Sequence, residues 1–103
     1  MFGLKDLHIS KIRAILANYP AIEKAILYGS RAKGDFRENS DIDLSLLGTD
    51  INLSTLHRIE NELDDLLLPY QIDLSIFDKI ENKNLVEHIN RVGVLFYSKQ
   101  TLP

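Results

Sequence analysis

The sequence predicts an α/β (α+β) domain: a mixed sheet of three to four strands, with helices packed mainly on one face. Two observations predict it. Apolar residues switch repeatedly between helical and strand spacing, in the order helix, strand, helix, strand, helix, strand, helix. The chain has 103 residues, enough for one domain, 1–103, and it carries no repeat, low-complexity tract or linker.

Each element has its own signal. Leu7, Ile9, Ile12, Ile15 and Leu16 recur at helical spacing and describe a first helix ending near Asn18-Tyr19-Pro20. Ile22 to Tyr28 is the first strand, and its apolar run, Ala25 to Tyr28, reads as buried. It breaks at Gly29, and Ser30 is placed to cap a short helix through Lys33. Gly34 to Ser40 is polar and reads as a loop. Asp41 to Leu47 is a second strand, closed by Gly48. Asn52 or Ser54 caps a longer helix reaching about Leu67, with Leu56, Ile59, Leu63 and Leu66 inward and Pro69 behind it. Tyr70 to Phe77 alternates through Ile72, Leu74 and Ile76 as a third strand. Asn82 to Arg91 is a last helix with Leu85, Val86 and Ile89 inward. Val94 to Tyr97 is either a fourth short strand or a docked tail.

Composition excludes several classes. A net charge of -3 gives no reason to expect direct nucleic-acid binding, which a basic patch would advertise. No apolar run is long enough for a membrane span, so no membrane partner is expected. Met1 to Ser10 carries Lys5, Asp6 and His8 and is not a signal peptide. The absence of cysteine removes disulfides and thiol chemistry and is compatible with a cytoplasmic location. A domain of this size buries a modest core, so a homo- or hetero-oligomeric partner surface is unsurprising.

The chemistry concentrates in two stretches. Leu27-Tyr28-Gly29-Ser30-Arg31-Ala32-Lys33-Gly34 runs from a strand through a small-residue turn into a helix start. Free backbone N–H groups there, with Ser30 Oγ, suit the terminal phosphates of a nucleoside triphosphate. Arg31 and Lys33 add positive charge and are read as triphosphate contacts. Asp41-Ile42-Asp43 follows, and strand periodicity places both carboxylates on one face. Side by side they resist joint ionisation, a conflict that a hard Mg²⁺ would remove while keeping coordination sites for substrate phosphates. Either stretch alone has a plain reading, as a turn or as the outer face of a strand. Asp is poorly suited to strands, so two on one face after a Gly-Ser turn point to a site. Asp73 lies beside Ser75 on one face of an otherwise apolar strand and completes the cluster if that strand adjoins the second. His8, His57 and His88 sit on three separate helices without ligand spacing and are read as surface or boundary residues. Asp64-Asp65, late in a helix, is read as solvated surface.

Gly29-Ser30, then Asp41-Ile42-Asp43, then Asp73 resembles the signature of the nucleotidyltransferase (DNA polymerase beta-like) superfamily, and in so short a chain its minimal nucleotidyltransferase (MNT) branch. The resemblance spans roughly Ile22 to Phe77. It implies a small nucleotidyltransferase fold and transfer of a nucleoside monophosphate, AMP from ATP, to an acceptor hydroxyl. It implies two Mg²⁺ ions held by Asp41, Asp43 and Asp73 as catalytic and metal residues, with Gly29, Ser30, Arg31 and Lys33 on the nucleotide. It also implies a HEPN-type helical partner, which the MNT protein neutralises as an antitoxin. Two alternatives stay open: a non-catalytic antitoxin that works by occlusion, and an enzyme that modifies a small molecule of the aminoglycoside type.

Overall fold

The computed structural model describes residues 1–99. The elements run α1 (Asp6–Ala17), β1 (Ile22–Tyr28), α2 (Ser30–Lys33), β2 (Ile42–Gly48), α3 (Leu53–Asp64), β3 (Ile72–Ile76), α4 (Lys83–Val92) and β4 (Val94–Ser98), with a short 3₁₀ turn at Phe77–Lys79. The four strands form one mixed sheet in the order β3-β2-β1-β4. β1 pairs antiparallel with β2 and with β4, and β2 pairs parallel with β3. The parallel pair follows from its connection, because a crossover helix, here α3, can return the chain in the same direction.

Strand alternation divides the sheet into two faces. Ala25, Leu27, Ile42, Leu44 and Leu46 are fully buried against Ile9, Ile12 and Leu16 of α1 and Ile59 and Leu63 of α3. Tyr28, Asp43, Ser45, Asp73 and Ser75 take the intervening positions and share the opposite face. α4 lies on that second face, against β1: His88 meets the Tyr28 ring edge-on, and Gly93 abuts the Ile26 side chain. No helix among the described residues is long and apolar enough to cross a membrane.

Several expected boundaries shift for physical reasons. Leu7, expected inward, is 62% exposed, because α1 turns Ile9, Ile12 and Leu16 to the sheet instead. Gly29, not Ser30, is the N-cap of α2; Ser30 is its first helical residue and makes no side-chain cap bond. α3 is capped by Asn52, whose Oδ1 accepts from the Thr55 N–H at 2.8 Å. It ends at Asp64, before Pro69, and Leu67 then takes a left-handed φ of 53°. β2 begins at Ile42, leaving Asp41 outside the strand. The segment Val94–Ser98 is a true strand, paired with β1 through Tyr97 and Leu95.

Candidate functional site

The polar face of the sheet is built by register. Tyr28, the last residue of β1, pairs with Asp43, and on the other side of β2 Asp43 pairs with Asp73. Neighbouring strands lie about 4.8 Å apart, so the two aspartates are held side by side. One step further along, Ser45 pairs with Ser75, and the Ser75 hydroxyl donates to Ser45 Oγ at 2.9 Å. That bond satisfies the fully buried Ser45.

The turn after β1 closes over this row. Gly29 has φ 78° and ψ -156°, a region open essentially to glycine alone. A Cβ at this position would also run into Asp43 Oδ2. The glycine therefore lets the backbone turn and lets it approach the carboxylate. α2 is a single turn, so its dipole is small; what it presents are the unpaired N–H groups of any helix start. Gly29→Ala is expected to lower stability by about 1–3 kcal/mol through backbone strain and to displace the Asp43 carboxylate. Denaturant unfolding and nucleotide titration check this, and an alanine variant with unchanged midpoint and affinity would refute it.

Charge is crowded here. Asp43 is half-buried, and its carboxyl is pushed above the ordinary range, first by burial and then by the charges of Asp73 and Asp41. A hydrogen bond to Asp73 that only the protonated form can make adds to the shift, and His88 opposes it. The Tyr28 hydroxyl is likewise raised, mainly by burial, with Ser75 lowering it and Asp43 and Asp73 raising it. Gln71 Nε2 donates to Asp73 Oδ1 at 3.3 Å.

The residues singled out in the sequence separate into two groups. Gly29, Asp43 and Asp73 are brought together, and Asp41, exposed and just before β2, adds its charge to Asp43. Ser30 follows in the same turn. Among the described residues no three His, Cys, Asp or Glu form a ready-made metal group, so the fold presents a close pair with Asp41 nearby. Lys33 stands exposed at the end of α2, 3.6 Å from Asp35. Arg31 does not reach outward as expected. It is 2% exposed, and its guanidinium is consumed by backbone carbonyls. The sequence reading missed Tyr28 and His88, which wall the site beside Asp43. The signal for Tyr28 was its place next to Gly29; His88 had none, because only the tertiary fold brings α4 to β1.

A mixed open sheet with a glycine turn over a row of strand carboxylates is the architecture of a nucleotidyl-transferring domain. The family model "Polymerase beta, Nucleotidyltransferase" matches residues 10–102, and the chain belongs to that family. No curated protein matches the sequence at a significant level. Solved structures share the fold. A toxin–antitoxin complex with AMP-PNP superposes with a TM-score of 0.71 at 23% identity, covering 94% of this chain and 76% of the other. A Shewanella oneidensis structure, a tri-AMPylated HEPN toxin in complex with MNT antitoxin, gives 0.69 at 20% identity over 94% and 75%. The toxin–antitoxin pair MntA–HepT gives 0.68 at 22% identity over 93% and 74%.

Proposed function

We propose that this chain is an adenylyltransferase that moves AMP from ATP to a hydroxyl of a HEPN-type helical protein, and that it acts as that protein's antitoxin. The observation that carries the reading is the in-register pair Asp43–Asp73 under the Gly29 turn. The family assignment and the likeness to antitoxin complexes, one with AMP-PNP and one with an AMPylated toxin, support the substrate and the partner.

The donor set fits a hard divalent cation. All three candidate ligands are carboxylates; burial first, and then the charges of Asp73 and Asp41, raise Asp43, and a bound cation would offset both. Asp41, Asp43 and Asp73 would hold Mg²⁺, two ions in the full complement. Bound there, the metal supplies electrostatic stabilisation of the charge that develops on the phosphate oxygens. The rest is the work of the chain. The N–H groups and Ser30 Oγ of the turn hold the β- and γ-phosphates, with Lys33 alongside. The acceptor oxygen attacks the α-phosphorus in line, a new P–O bond forms, and the bond to the bridging α–β oxygen breaks. Pyrophosphate leaves with that electron pair, and Asp73 receives the acceptor's proton. No covalent enzyme intermediate is needed, since positioning and fixed charge carry the step.

The test is to incubate the purified chain with its co-expressed helical partner, ATP and Mg²⁺. The expected result is metal-dependent pyrophosphate release and a partner whose mass grows by whole AMP units. Pyrophosphate without partner modification would redirect the search to a small-molecule acceptor. A partner silenced on binding, with no pyrophosphate released under any condition, would overturn the catalytic reading in favour of occlusion.

A further inference from the structure

Among the described residues Arg31 is the most buried charged side chain, at 2% exposure. Its charge meets no carboxylate: among the described residues the ion pairs are Lys33–Asp35 and Glu87–Arg91. Its hydrogen bonds go to backbone oxygens. Nε and Nη2 both donate to the Ser40 carbonyl, at 3.1 and 2.9 Å. Nη2 also donates to Glu38 O at 3.1 Å, and Nη1 to Phe2 O at 2.8 Å. The guanidinium carbon also lies over two aromatic rings, 4.9 Å from the Tyr70 centroid and 5.2 Å from that of Phe36. Five donors in a rigid planar fork suit this arrangement, and a lysine ammonium does not reproduce it.

The partners mark what the arginine joins. Arg31 itself follows the Gly29-Ser30 turn. Ser40 immediately precedes Asp41. Tyr70 leads into β3 and Asp73, and Gln71 O accepts from the Ile42 N–H at 2.9 Å, where β2 and β3 meet. Every segment that carries a candidate site residue is thus tied to one side chain. Apart from Arg31, the 34–41 loop is tied to the rest of the chain by the Phe36 ring set against Gly3. Its other internal bonds are local, such as the Arg37 N–H to Ser40 Oγ at 2.8 Å.

We infer that Arg31 is a positioning residue: its guanidinium fixes the loop that presents Asp41 relative to the phosphate turn and to Asp73. It acts through the backbone and touches no phosphate. This rests on the proposed transferase reading for its meaning, but its test does not depend on turnover. Arg37 is exposed in the middle of the loop and offers a tryptic site, Arg37–Glu38. Arg31→Lys keeps the charge and loses the fork. In the variant, trypsin should cut at Arg37–Glu38 at least about tenfold faster than in the wild type, and Mn²⁺ affinity measured by calorimetry should fall about 10–100-fold, the range for losing a group that orients a metal ligand. At saturating metal, KM for ATP should change little, since the turn that holds the phosphates is intact. Wild-type cleavage and Mn²⁺ affinity in Arg31→Lys would overturn the inference. If that variant loses its cooperative melt, Phe36→Leu, which removes one stacking face and leaves the fork, is read in its place, and an unchanged cleavage rate there would overturn it equally. A wild-type chain that binds Mn²⁺ and protects its loop but never releases pyrophosphate would refute the transferase reading alone.

Discussion

Asp43→Asn is expected to abolish nucleotidyl transfer and yet raise the melting temperature at neutral pH. Under the proposed mechanism the carboxylate is a metal ligand, so its loss should lower turnover by at least about 10²–10³-fold, as for removal of one preorganised electrostatic group. The stability change has the opposite sign because the fold works against this carboxylate's charge. Burial is the largest cause, followed by Asp73 and Asp41. A carboxyl whose folded pKa lies above its unfolded value binds its proton more tightly in the native state, so native stability falls as pH rises from the ordinary 3.8 through the raised value. Asparagine keeps the shape and cannot ionise. The variant should therefore melt higher than the wild type at pH 7 without metal, and the two curves should converge below pH 3.8. Scanning calorimetry of both proteins across that range, in chelator, reads the difference. An asparagine variant that melts below the wild type at pH 7 would mean that the carboxylate supports the fold and does not burden it.

One residue along, the sign reverses. Leu44→Ala should cost about 2–5 kcal/mol, the range for deleting a large aliphatic side chain from a packed core. Leu44 is fully buried on the face that meets α1 and α3. Set against a typical total of about 5–15 kcal/mol, this removes a large part of the stability of a small domain. Each kcal/mol corresponds to about 4–8 °C in a domain of this size, so the melting temperature should drop by about 8–40 °C. Transfer measured well below the lowered midpoint should survive, because the polar face is untouched. Urea unfolding with an unchanged midpoint would show that Leu44 lies outside the core.

Much of this arrangement is legible in the sequence where the cause is local. Ile22–Tyr28 and Ser30–Lys33 are readable because an apolar run, a glycine and a short helical stretch follow without interruption. Asp43 and Asp73 are readable as face-sharing carboxylates because strand alternation is strict. Asp41 is only half readable. Period-two reasoning puts it on the strand, but the first rung of the β2–β3 pair is the Ile42 N–H to Gln71 O bond, and nothing near Asp41 records where its partner strand begins. Arg31 is misread for the same reason. A cation in a Gly-Ser turn suggests a phosphate, whereas its aromatic partners lie 5 and 39 positions away, at Phe36 and Tyr70. The histidines show the limit again: His88 reaches Tyr28 because α4 folds back over β1, and no spacing in the chain encodes that contact.

The matched row of Asp43–Asp73 and Ser45–Ser75 also penalises a misalignment of β3 on β2. If β3 docked on β2 one residue out of step, Asp73 would be driven into the apolar layer and Leu74 into the polar cleft, an error that expels itself through the desolvation of a charge. A slip of two residues keeps polarity correct and escapes that penalty, while moving Asp73 about 7 Å from its partner. The native alignment adds the hydroxyl pair: Ser45 has no exposure, and Ser75 stands opposite to supply its hydrogen bond. A pair of small side chains with no assigned part in the chemistry thus adds to the alignment on which the chemistry depends.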